Sequence, residues 1–314
     1  MIDSPICEKL GIKYPIFQGG MAWIADGKLA AAVSNAGGLG IIAAMNLNGE
    51  YLREQIRIAR ELTDKPFAVN VMLMSPHAEE VAHTVVEEGV KIITTGAGSP
   101  AAFMPMWIEN GIKVIPVIAS VAMAKKMERC GAFALVAEGG ESGGHVGEIS
   151  TMPLVPQVCD AVSIPVIAAG GIADGRGVAA AFMLGAAGVQ MGTRFLVAKE
   201  CGVHENYKEK VLKASDISTI VTGKRLGHPV RSLKTPFSRG YSKAEYTGIS
   251  DDDLEAMGVG ALRLAAVEGD EKKGCFPCGQ IAGMVNCEQT AAEIIEEIMK
   301  DTEEVLSGAK IWVK

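Results

Sequence analysis

Eight short apolar runs alternate with stretches of helical periodicity, and this alternation constrains the fold more than any other feature of the chain. Several runs are continuously apolar, which is typical of parallel strands covered by helices. The spacers place apolar residues three and four positions apart, as expected for helices packed on such strands. The runs span residues 15–20, 40–44, 67–73, 90–98, 114–120, 134–140, 165–172 and 188–195.

Eight such units in about 200 residues predict an α/β fold, the (β/α)8 or TIM barrel. A doubly wound parallel sheet is the alternative, but the count of eight and the lack of an opening G-x-G-x-x-G motif favour the barrel. We expect the barrel over residues 1–198 and a small appended substrate-side subdomain over residues 199–285. Residues 286–314 should then form a C-terminal helix that packs back on the barrel.

Composition narrows the functional classes. The net charge of −7 argues against a general nucleic-acid binder. No apolar run approaches the roughly 18 residues of a membrane span, and no N-terminal targeting pattern is present, so we expect a cytoplasmic protein. Seven cysteines do not suggest a disulfide framework. The single C-x-x-C, Cys275 to Cys278, lacks a second ligand pair, so we predict reduced thiols and no metal site.

The carboxyl ends of the predicted strands are chemically distinctive. In a barrel the active site lies at these ends. Here they are rich in small residues, as in QGGMA at 18–22, TTGAG at 94–98 and AGGI at 169–172. We therefore predict a broad, flat ligand over the barrel mouth. The alternative is that these glycines only fit tight turns.

The sixth run continues into the loop ALVAEGGESGGHVGE, residues 134–148, with four glycines within six positions and His145 near its end. Backbone with so few side chains can approach a flat or anionic ligand closely. Histidine titrates near neutral pH, which makes His145 the candidate catalytic residue. A flexible surface turn with a spare histidine is the alternative.

The seventh and eighth runs end in AAGGI and, about 20 residues later, QMGTRF. Glycine-rich loops at these two positions, with the amino end of a short helix, form the usual phosphate site of such barrels. Backbone N–H groups there point at an anion. The sequence therefore predicts a phosphate-bearing cofactor.

Residues 217–244, called the basic segment below, carry six basic side chains and no Asp or Glu. In an acidic chain this is a local inversion of charge. It predicts a docking surface for an acidic partner or a phosphorylated substrate, and an ordinary solvated face is the alternative. The six residues are Lys224, Arg225, Arg231, Lys234, Arg239 and Lys243.

Taken in order, the motifs YPIFQGGMAW, NAGGLGII, DKPFAVNVML, IITTGAG, AEGGESGGHVG, PVIAAGGIADG and GTRF resemble one family over essentially the whole chain. It is the nitronate monooxygenase-like group of FMN-dependent barrels and, within it, the flavin-dependent enoyl-acyl-carrier-protein reductases. The resemblance implies FMN as cofactor and NAD(P)H as co-substrate, and it allows a monovalent cation. It also implies an acidic acyl carrier protein as partner and a homodimer.

The resemblance further implies which residues of this chain form the site. His145 matches the family's active-site histidine, with a structural role in the glycine loop as the alternative. The residues expected to bind the flavin and its phosphate are Gly20, Met21, Ala22, Asn70, Thr95, Glu138, Gly143, Gly144, Gly170, Gly171, Gln190, Met191, Gly192 and Thr193.

Two positions favour the reductase branch of this family. The nitronate-oxidising branch tends to have Gln where this chain has Glu138, and Arg where it has Val146. We therefore expect reduction of trans-2-enoyl thioesters in fatty-acid synthesis. Nitronate monooxygenase is the alternative, and a non-catalytic flavin- or phosphate-binding protein is an alternative of another class. Cys275 and Cys278 depart from the small or aliphatic residues of relatives, which leaves the shape of the acyl pocket open.

Overall fold

A computed structural model describes residues 2–44 and 47–312, and its central element is a parallel barrel of eight strands. The predicted TIM barrel is thus confirmed, and each of the eight apolar runs overlaps one of its strands. The barrel strands are β1 (Ile16–Gln18), β2 (Gly40–Ala43), β3 (Phe67–Met72), β4 (Ile92–Gly96), β5 (Lys113–Ile118), β6 (Leu135–Glu138), β8 (Val166–Ala169) and β9 (Gly188–Met191). The strand β7 (Gly144–His145) belongs to a second sheet.

Hydrogen-bonded neighbours follow the order β1-β9-β8-β6-β5-β4-β3-β2. A parallel bridge between Phe17 and Leu39 joins the two remaining edges, β1 and the start of β2. The N–H of Gln18 donates to the C=O of Leu39 at 3.0 Å, so the ring of strands is closed. All eight carboxyl ends therefore meet at one mouth.

Helices follow the strands and begin at capping side chains such as Asp26, Asn48, Ser120 and Asp174, each of which accepts a backbone N–H of the first turn. No helix of the described residues is both long and apolar enough to cross a membrane. The helices are α1 (Pro5–Leu10), α2 (Gly27–Asn35), α3 (Gly49–Leu62), α4 (Ala78–Glu87), α5 (Met104–Glu109), α6 (Val121–Arg129), α7 (Thr151–Cys159), α8 (Gly175–Met183), α9 (Thr193–Leu196), α10 (Glu205–Leu212), α11 (Pro236–Ala244), α12 (Asp251–Gly258), α13 (Ala261–Arg263) and α14 (Ala291–Gly308).

The core has two layers because side chains alternate along each strand. One set, including Phe17, Ile41 and Ile92, points into the barrel, where Ile6 and Leu10 of α1 join it. The other set packs under the surrounding helices and forms the larger cluster. The interior is thus filled at the amino end, which leaves the carboxyl end as the place for a ligand.

The last long helix, α14, packs against α8 and α2. Its buried face carries Ile294, Ile295 and Ile298. The contact with α8 is close enough that a Cβ on Gly175 would lie 2.4 Å from the backbone nitrogen of Thr302. The proposed three-part division of the chain stays a prediction, and its residues 1, 45, 46, 313 and 314 lie outside the described residues.

A second, three-stranded sheet lies over the barrel mouth. It consists of the antiparallel hairpin β10 (Thr219–Thr222) and β11 (Val230–Leu233), with β7 paired to β11. The register places His145 opposite Val230 and Gly144 opposite Arg231. The glycine-rich loop of the barrel and the basic segment are therefore parts of one sheet, which the sequence analysis did not predict.

Candidate active site

A cavity of about 710 Å³ lies at the carboxyl ends of the barrel strands, between the barrel mouth and residues 222–281. Its size and position are typical of a ligand site in this fold. The structure brings together all but one of the residues expected from the sequence. Those that line the cavity are Gly20, Met21, Ala22, Asn70, Glu138, Gly143, Gly144, His145, Gly170, Gly171, Gln190, Met191, Gly192 and Thr193.

The exception is Thr95, which does not line the cavity. Along β4, Ile92 belongs to the interior cluster and Ile93 to the cluster under the helices. Because side chains alternate along a strand, Thr95 shares the outward face of Ile93. Its buried hydroxyl has no hydrogen-bond partner among the described residues. The structure therefore does not support Thr95 as a side-chain contact to the cofactor.

Thr94, on the inward face, acts instead by fixing Asn70 at the end of β3. The Thr94 hydroxyl donates to Oδ1 of Asn70 at 2.9 Å. This leaves the amide NH₂ of Asn70 as its hydrogen-bond donor on the cavity side. Gly20 is pressed against the same side chain, since a Cβ on Gly20 would lie 2.4 Å from the Cβ of Asn70. Glycine at position 20 therefore allows the β1 loop to reach the floor of the cavity.

Glu138 ends β6 and lies deep in the cavity wall. Burial raises the pKa of its carboxyl from 4.5 to about 7, and the nearby Ser142 hydroxyl opposes this rise. The opposition is weak, because that hydroxyl has no hydrogen-bond partner of good geometry in the described chain. Part of the Glu138 side chain is still open to the cavity. A ligand that excludes water there would raise the pKa further.

The glycine-rich loop after Glu138 is fixed from both sides. Glu141 accepts hydrogen bonds from the backbone N–H of Thr151, at 2.9 Å, and from its hydroxyl, also at 2.9 Å. On the opposite side, the guanidinium of Arg231 donates to the C=O of Gly140 at 2.8 and 3.1 Å. The loop packs so tightly that a Cβ on Gly143 would lie 2.7 Å from the backbone of Cys278. It is not a flexible surface turn.

His145 lies on β7 and borders the cavity. Its side chain is reached by solvent through the open cavity, while the surrounding walls still restrict its hydration. This desolvation lowers the pKa of His145 from 6.5, and the neighbouring His228 lowers it further. The imidazole is therefore held largely neutral at pH 7, with its side chain presented to any ligand of the cavity.

The basic segment is only in part a free surface. Arg231 is occupied by Gly140 and by the Thr219 hydroxyl, at 3.2 Å. Arg225 pairs with the carboxylate of Asp251 at 2.7 Å. The interpretation of all six basic residues as one docking surface is therefore too broad. Lys224, Lys234, Arg239 and Lys243 are exposed, and no ion pair within residues 2–44 and 47–312 involves them.

The ends of β8 and β9 fit an anionic group. Gly170 and Gly171 both adopt left-handed backbone conformations, with φ of 89° and 72°, which glycine tolerates without strain. The N–H groups of Gly171 and Gly192 have no acceptor among the described residues. Both glycines line the cavity, and Gly192 precedes α9. Free backbone donors beside a helix start are suited to a phosphate.

The roof of the cavity lies within residues 199–285, where a substrate-side subdomain was expected, but its individual residues were not predicted. No sequence signal identified these residues, since they come from α11 to α13, the β10–β11 hairpin and the short helical turn Gln280–Met284, whose placement over the barrel depends on distant contacts. The roof combines apolar, acidic and basic side chains, which suits an amphipathic second ligand. It includes His228, Phe237, Tyr241, Glu255, Leu262, Arg263 and Ile281.

Cys275 and Cys278 are free thiols in the structure. Burial raises the pKa of Cys275 to about 11 and that of Cys278 to about 12, so neither is a reactive thiolate at neutral pH. Cys275 also borders the cavity. No group of three or more His, Cys, Asp or Glu side chains in the described part of the chain is placed to hold a metal ion.

Comparisons with known proteins agree over the full length of the chain. A family model described as nitronate monooxygenase matches residues 3–87 and 81–301. FabK from Thermotoga maritima superposes with a TM-score of 0.97 at 48% identity, covering 100% of both chains.

Two curated relatives are each 34% identical. One, from Mycobacterium tuberculosis, is a (3aS,4S,5R,7aS)-5-hydroxy-7a-methyl-1-oxo-octahydro-1H-indene-4-carboxyl-CoA dehydrogenase, aligned over 100% of this chain and 99% of the relative. The other is a probable nitronate monooxygenase from Staphylococcus saprophyticus, aligned over 98% of this chain and 99% of the relative.

Proposed function

Because this chain belongs to the nitronate monooxygenase family, we propose that it is an FMN-dependent enoyl-acyl-carrier-protein reductase of fatty-acid synthesis that uses NAD(P)H. Its relatives and its fold identify it as an oxidoreductase. The observation that carries the finer proposal is the full-length likeness to FabK, the flavin-dependent enoyl-acyl-carrier-protein reductase II, at 48% identity. Glu138 and Val146, which favoured the reductase branch, support the same choice.

The residues that would hold FMN are those whose polar groups are free in the cavity. The unpaired N–H groups of Gly171 and Gly192 would receive the phosphate. The amide of Asn70, oriented by Thr94, and the carboxyl of Glu138 would meet the polar edge of a flat ring. When bound, FMN supplies the hydride chemistry, and the protein supplies placement and electrostatics.

The reaction adds two hydrogens across the C=C bond of the enoyl thioester. A hydride forms the new C–H bond at the β-carbon, a proton forms the one at the α-carbon, and NAD(P)H is oxidised. The role we assign to His145 is to deliver that proton, since it lines the cavity and imidazole has an ordinary pKa of about 6.5. Because the cavity lowers this pKa, the donor would be the minor protonated fraction present at pH 7. Negative charge develops on the thioester oxygen in the transition state. N–H donors near this oxygen would therefore bind the transition state more tightly than the substrate.

The roof supports a substrate with an apolar chain and a polar end. Phe237, Tyr241 and Leu262 offer apolar surface, while Arg263 lies over the ring of Trp23, 6.0 Å from its centre. We infer that the acyl chain lies among the apolar residues and that an acidic acyl carrier protein delivers it. The exposed cations of the basic segment support this choice of carrier.

A second candidate is nitronate monooxygenase activity, which the full-length relative from Staphylococcus saprophyticus favours. That reaction would use the same flavin and the same histidine with oxygen as oxidant. A flavin- or phosphate-binding protein without turnover is the candidate of another class. It predicts a bound flavin that neither substrate reoxidises.

One anaerobic experiment separates the three candidates. The purified protein is mixed with NAD(P)H, and flavin absorbance is followed before and after addition of a crotonyl thioester. We expect bleaching by NAD(P)H and recovery of colour on addition of the enoyl substrate. Failure of the enoyl substrate to restore colour, combined with oxygen-dependent turnover of a nitronate in a parallel aerobic assay, would establish the second candidate. No response to any of these substrates would leave the flavin- or phosphate-binding protein without turnover as the remaining candidate.

His145→Ala tests the proposed proton delivery. We expect the variant to fold and retain flavin but to reduce the enoyl thioester on the order of a hundredfold more slowly, the usual contribution of general acid–base catalysis. Circular dichroism and flavin content control for folding. An unchanged turnover number, or loss of flavin together with activity, would mean that His145 has a structural role.

A further inference from the structure

The turn after β1 carries a strained tryptophan at the edge of the cavity. Among the non-glycine residues that the structure describes, only Trp23 and Ala97 have left-handed backbones, with φ of 65° and 54°. Both residues line the cavity. A bulky residue rarely adopts this conformation, because its Cβ approaches the following carbonyl oxygen too closely. Strain of this kind is typical of functional sites, where the surrounding structure enforces it.

Backbone hydrogen bonds enforce the conformation of Trp23. The N–H groups of Ile24 and Ala25 both donate to the C=O of Met21, at 3.0 and 2.8 Å, which closes a tight turn around residue 23. The N–H of Ala43 donates to the C=O of Ala25 at 2.8 Å and fixes this turn to the end of β2. The barrel therefore sets the direction of the Trp23 side chain in spite of the backbone strain.

The indole of Trp23 is held on two sides. On the barrel side it packs against a small apolar cluster that contains Ala25 and Ala43. On the roof side, the guanidinium of Arg263 lies 6.0 Å from the ring centre. Arg263 is paired with Glu268 at 2.5 Å, and its side chain is 46% exposed to solvent. The ring therefore bridges barrel and roof and separates this edge of the cavity from the solvent around Arg263.

The proposed substrate would direct its acyl chain towards this ring. The exposed basic residues of α11 lie on the same helix as Phe237 and Tyr241, which line the roof of the cavity. A carrier bound at α11 would therefore insert the chain from that side. Leu262, on α13, also lines the cavity and directly precedes Arg263. A chain that extends past Leu262 would reach the indole of Trp23.

We propose that Trp23 is a specificity-determining residue, whose indole ends the acyl-binding part of the cavity and thereby limits the length of the enoyl chain. This inference rests on the proposed function, since it requires an acyl chain in the cavity. A chain that ends before the indole can bury all its methylenes. A longer chain leaves its end in water, and each methylene that stays unburied forgoes about fourfold in binding. The alternative is that the ring only ties the roof to the barrel.

The test removes the ring and relieves the backbone strain at the same time. In Trp23→Gly the indole is absent, and glycine accepts the left-handed conformation, so we expect the variant to fold. Turnover is measured with trans-2-enoyl thioesters from crotonyl to dodecenoyl, all on one small neutral carrier. Relative to the wild type, the ratio of kcat/KM for the longest chain to that for the shortest should rise about tenfold or more, which corresponds to about two additional buried methylenes.

Two further variants separate the ring from the backbone. Ala97→Gly relieves the other left-handed residue of the cavity but removes only a methyl group, so its chain-length preference should stay that of the wild type. Trp23→Phe keeps an aromatic ring at the same position and should shift the preference much less than Trp23→Gly. Equal shifts in Trp23→Gly and Ala97→Gly would overturn the proposal, because backbone strain and not the ring would then set the preference.

Calorimetric binding of the matching saturated thioesters gives a second readout that does not depend on turnover. We expect Trp23→Gly to gain affinity for the dodecanoyl over the butyryl thioester, compared with the wild type. This gain without enoyl reduction by any of the proteins would refute the proposed activity and leave the role of Trp23 intact. Reduction of the crotonyl thioester by Trp23→Gly with an unchanged chain-length preference would overturn the role of Trp23 alone. Absence of both acyl binding and reduction would overturn both.

Discussion

Glu138 and His145 lie at the two ends of one loop, and their surroundings shift their pKa values in opposite directions. Burial raises the pKa of the carboxyl to about 7, while desolvation and His228 lower that of the imidazole. Near pH 7 the imidazole is therefore mostly neutral and the carboxyl is only partly ionised, so the two do not form a full ion pair. Groups of this kind in a cavity are typical of functional sites.

The raised pKa of Glu138 predicts a pH-dependent stability of the flavin-free protein. The native state holds this proton more tightly than the unfolded state, whose carboxyl has its ordinary value of 4.5. The resulting stability is fully present below about pH 4.5 and is lost as the pH rises through about 7. Glu138→Gln removes this loss, so its melting temperature should exceed that of the wild type increasingly from about pH 5 to about pH 8.

The free energies of unfolding of the wild type and Glu138→Gln should differ by less than about 3 kcal/mol at high pH. The full value is not expected because water in the open cavity screens the carboxylate. Thermal unfolding at several pH values measures this difference. At about pH 4 both proteins carry a neutral side chain and provide the internal control. A gap between the two melting curves that does not depend on pH would contradict the assignment.

At the scale of the elements, the sequence predicted those strands whose formation depends on the local hydrophobic pattern. The eight apolar runs all overlap barrel strands, because a continuous run of Val, Ile and Ala between helical segments is rarely compatible with another element. The strands β7, β10 and β11 were not predicted. Gly144 and His145 form a strand only because residues 230 and 231, far along the chain, pair with them. The roof residues, His228 among them, were missed for the same reason.

Gly171→Asp tests the end of β8 as a phosphate site. A carboxylate at this position would face the bound phosphate, so we expect the protein to purify without flavin. Gly111→Asp is the matched control. Gly111 has a φ of 71°, almost equal to the 72° of Gly171, and a Cβ there would meet nothing within 4 Å.

Both substitutions bear a similar backbone strain, of order 1–2 kcal/mol. Only Gly171→Asp places a charge in the cavity, where its Cβ would also meet the Glu141 side chain at 3.4 Å. Flavin absorbance per mole of folded protein is the measurement. Equal flavin content in the two variants would show that the anion binds elsewhere. Any FAD released from the wild type would contradict FMN as the cofactor.

On the scale of the whole molecule, the question is where an acidic carrier would dock on a chain of net charge −7. Arg225 and Arg231 are occupied by internal contacts. Arg239 and Lys243 lie one turn apart on α11, exposed and without an ion pair among the described residues. They form one face of the helix that also supplies Phe237 and Tyr241 to the cavity roof.

Reversing this face with Arg239→Glu and Lys243→Glu should raise the apparent Michaelis constant for carrier-bound substrate about threefold or more, mainly through slower association. A crotonyl thioester on a small neutral carrier should be affected much less. Lys125→Glu with Lys126→Glu on α6 makes the same change in net charge elsewhere and is the control.

Added salt should reduce the difference between wild type and variant, because the Debye length shortens to a few ångströms. If both double variants impair carrier-bound substrate equally, net charge and not this face governs the encounter. If salt leaves the kinetics of carrier-bound substrate unchanged, the face is only solvated surface.

The pairing of β7 with β11 makes the two walls of the cavity one cooperative unit. His145 reaches the cavity on a strand whose partner belongs to the roof, and Arg231 of that partner also holds the loop at Gly140. Local unfolding of the roof would therefore also release the histidine and the loop from their positions. A molecule in which the roof has unfolded would therefore be inactive and would not retain a reduced activity. Activity would then require the roof, the loop and His145 to be in place together. A fluctuation that opens the roof would also move His145, to which we assign proton delivery, away from the cavity.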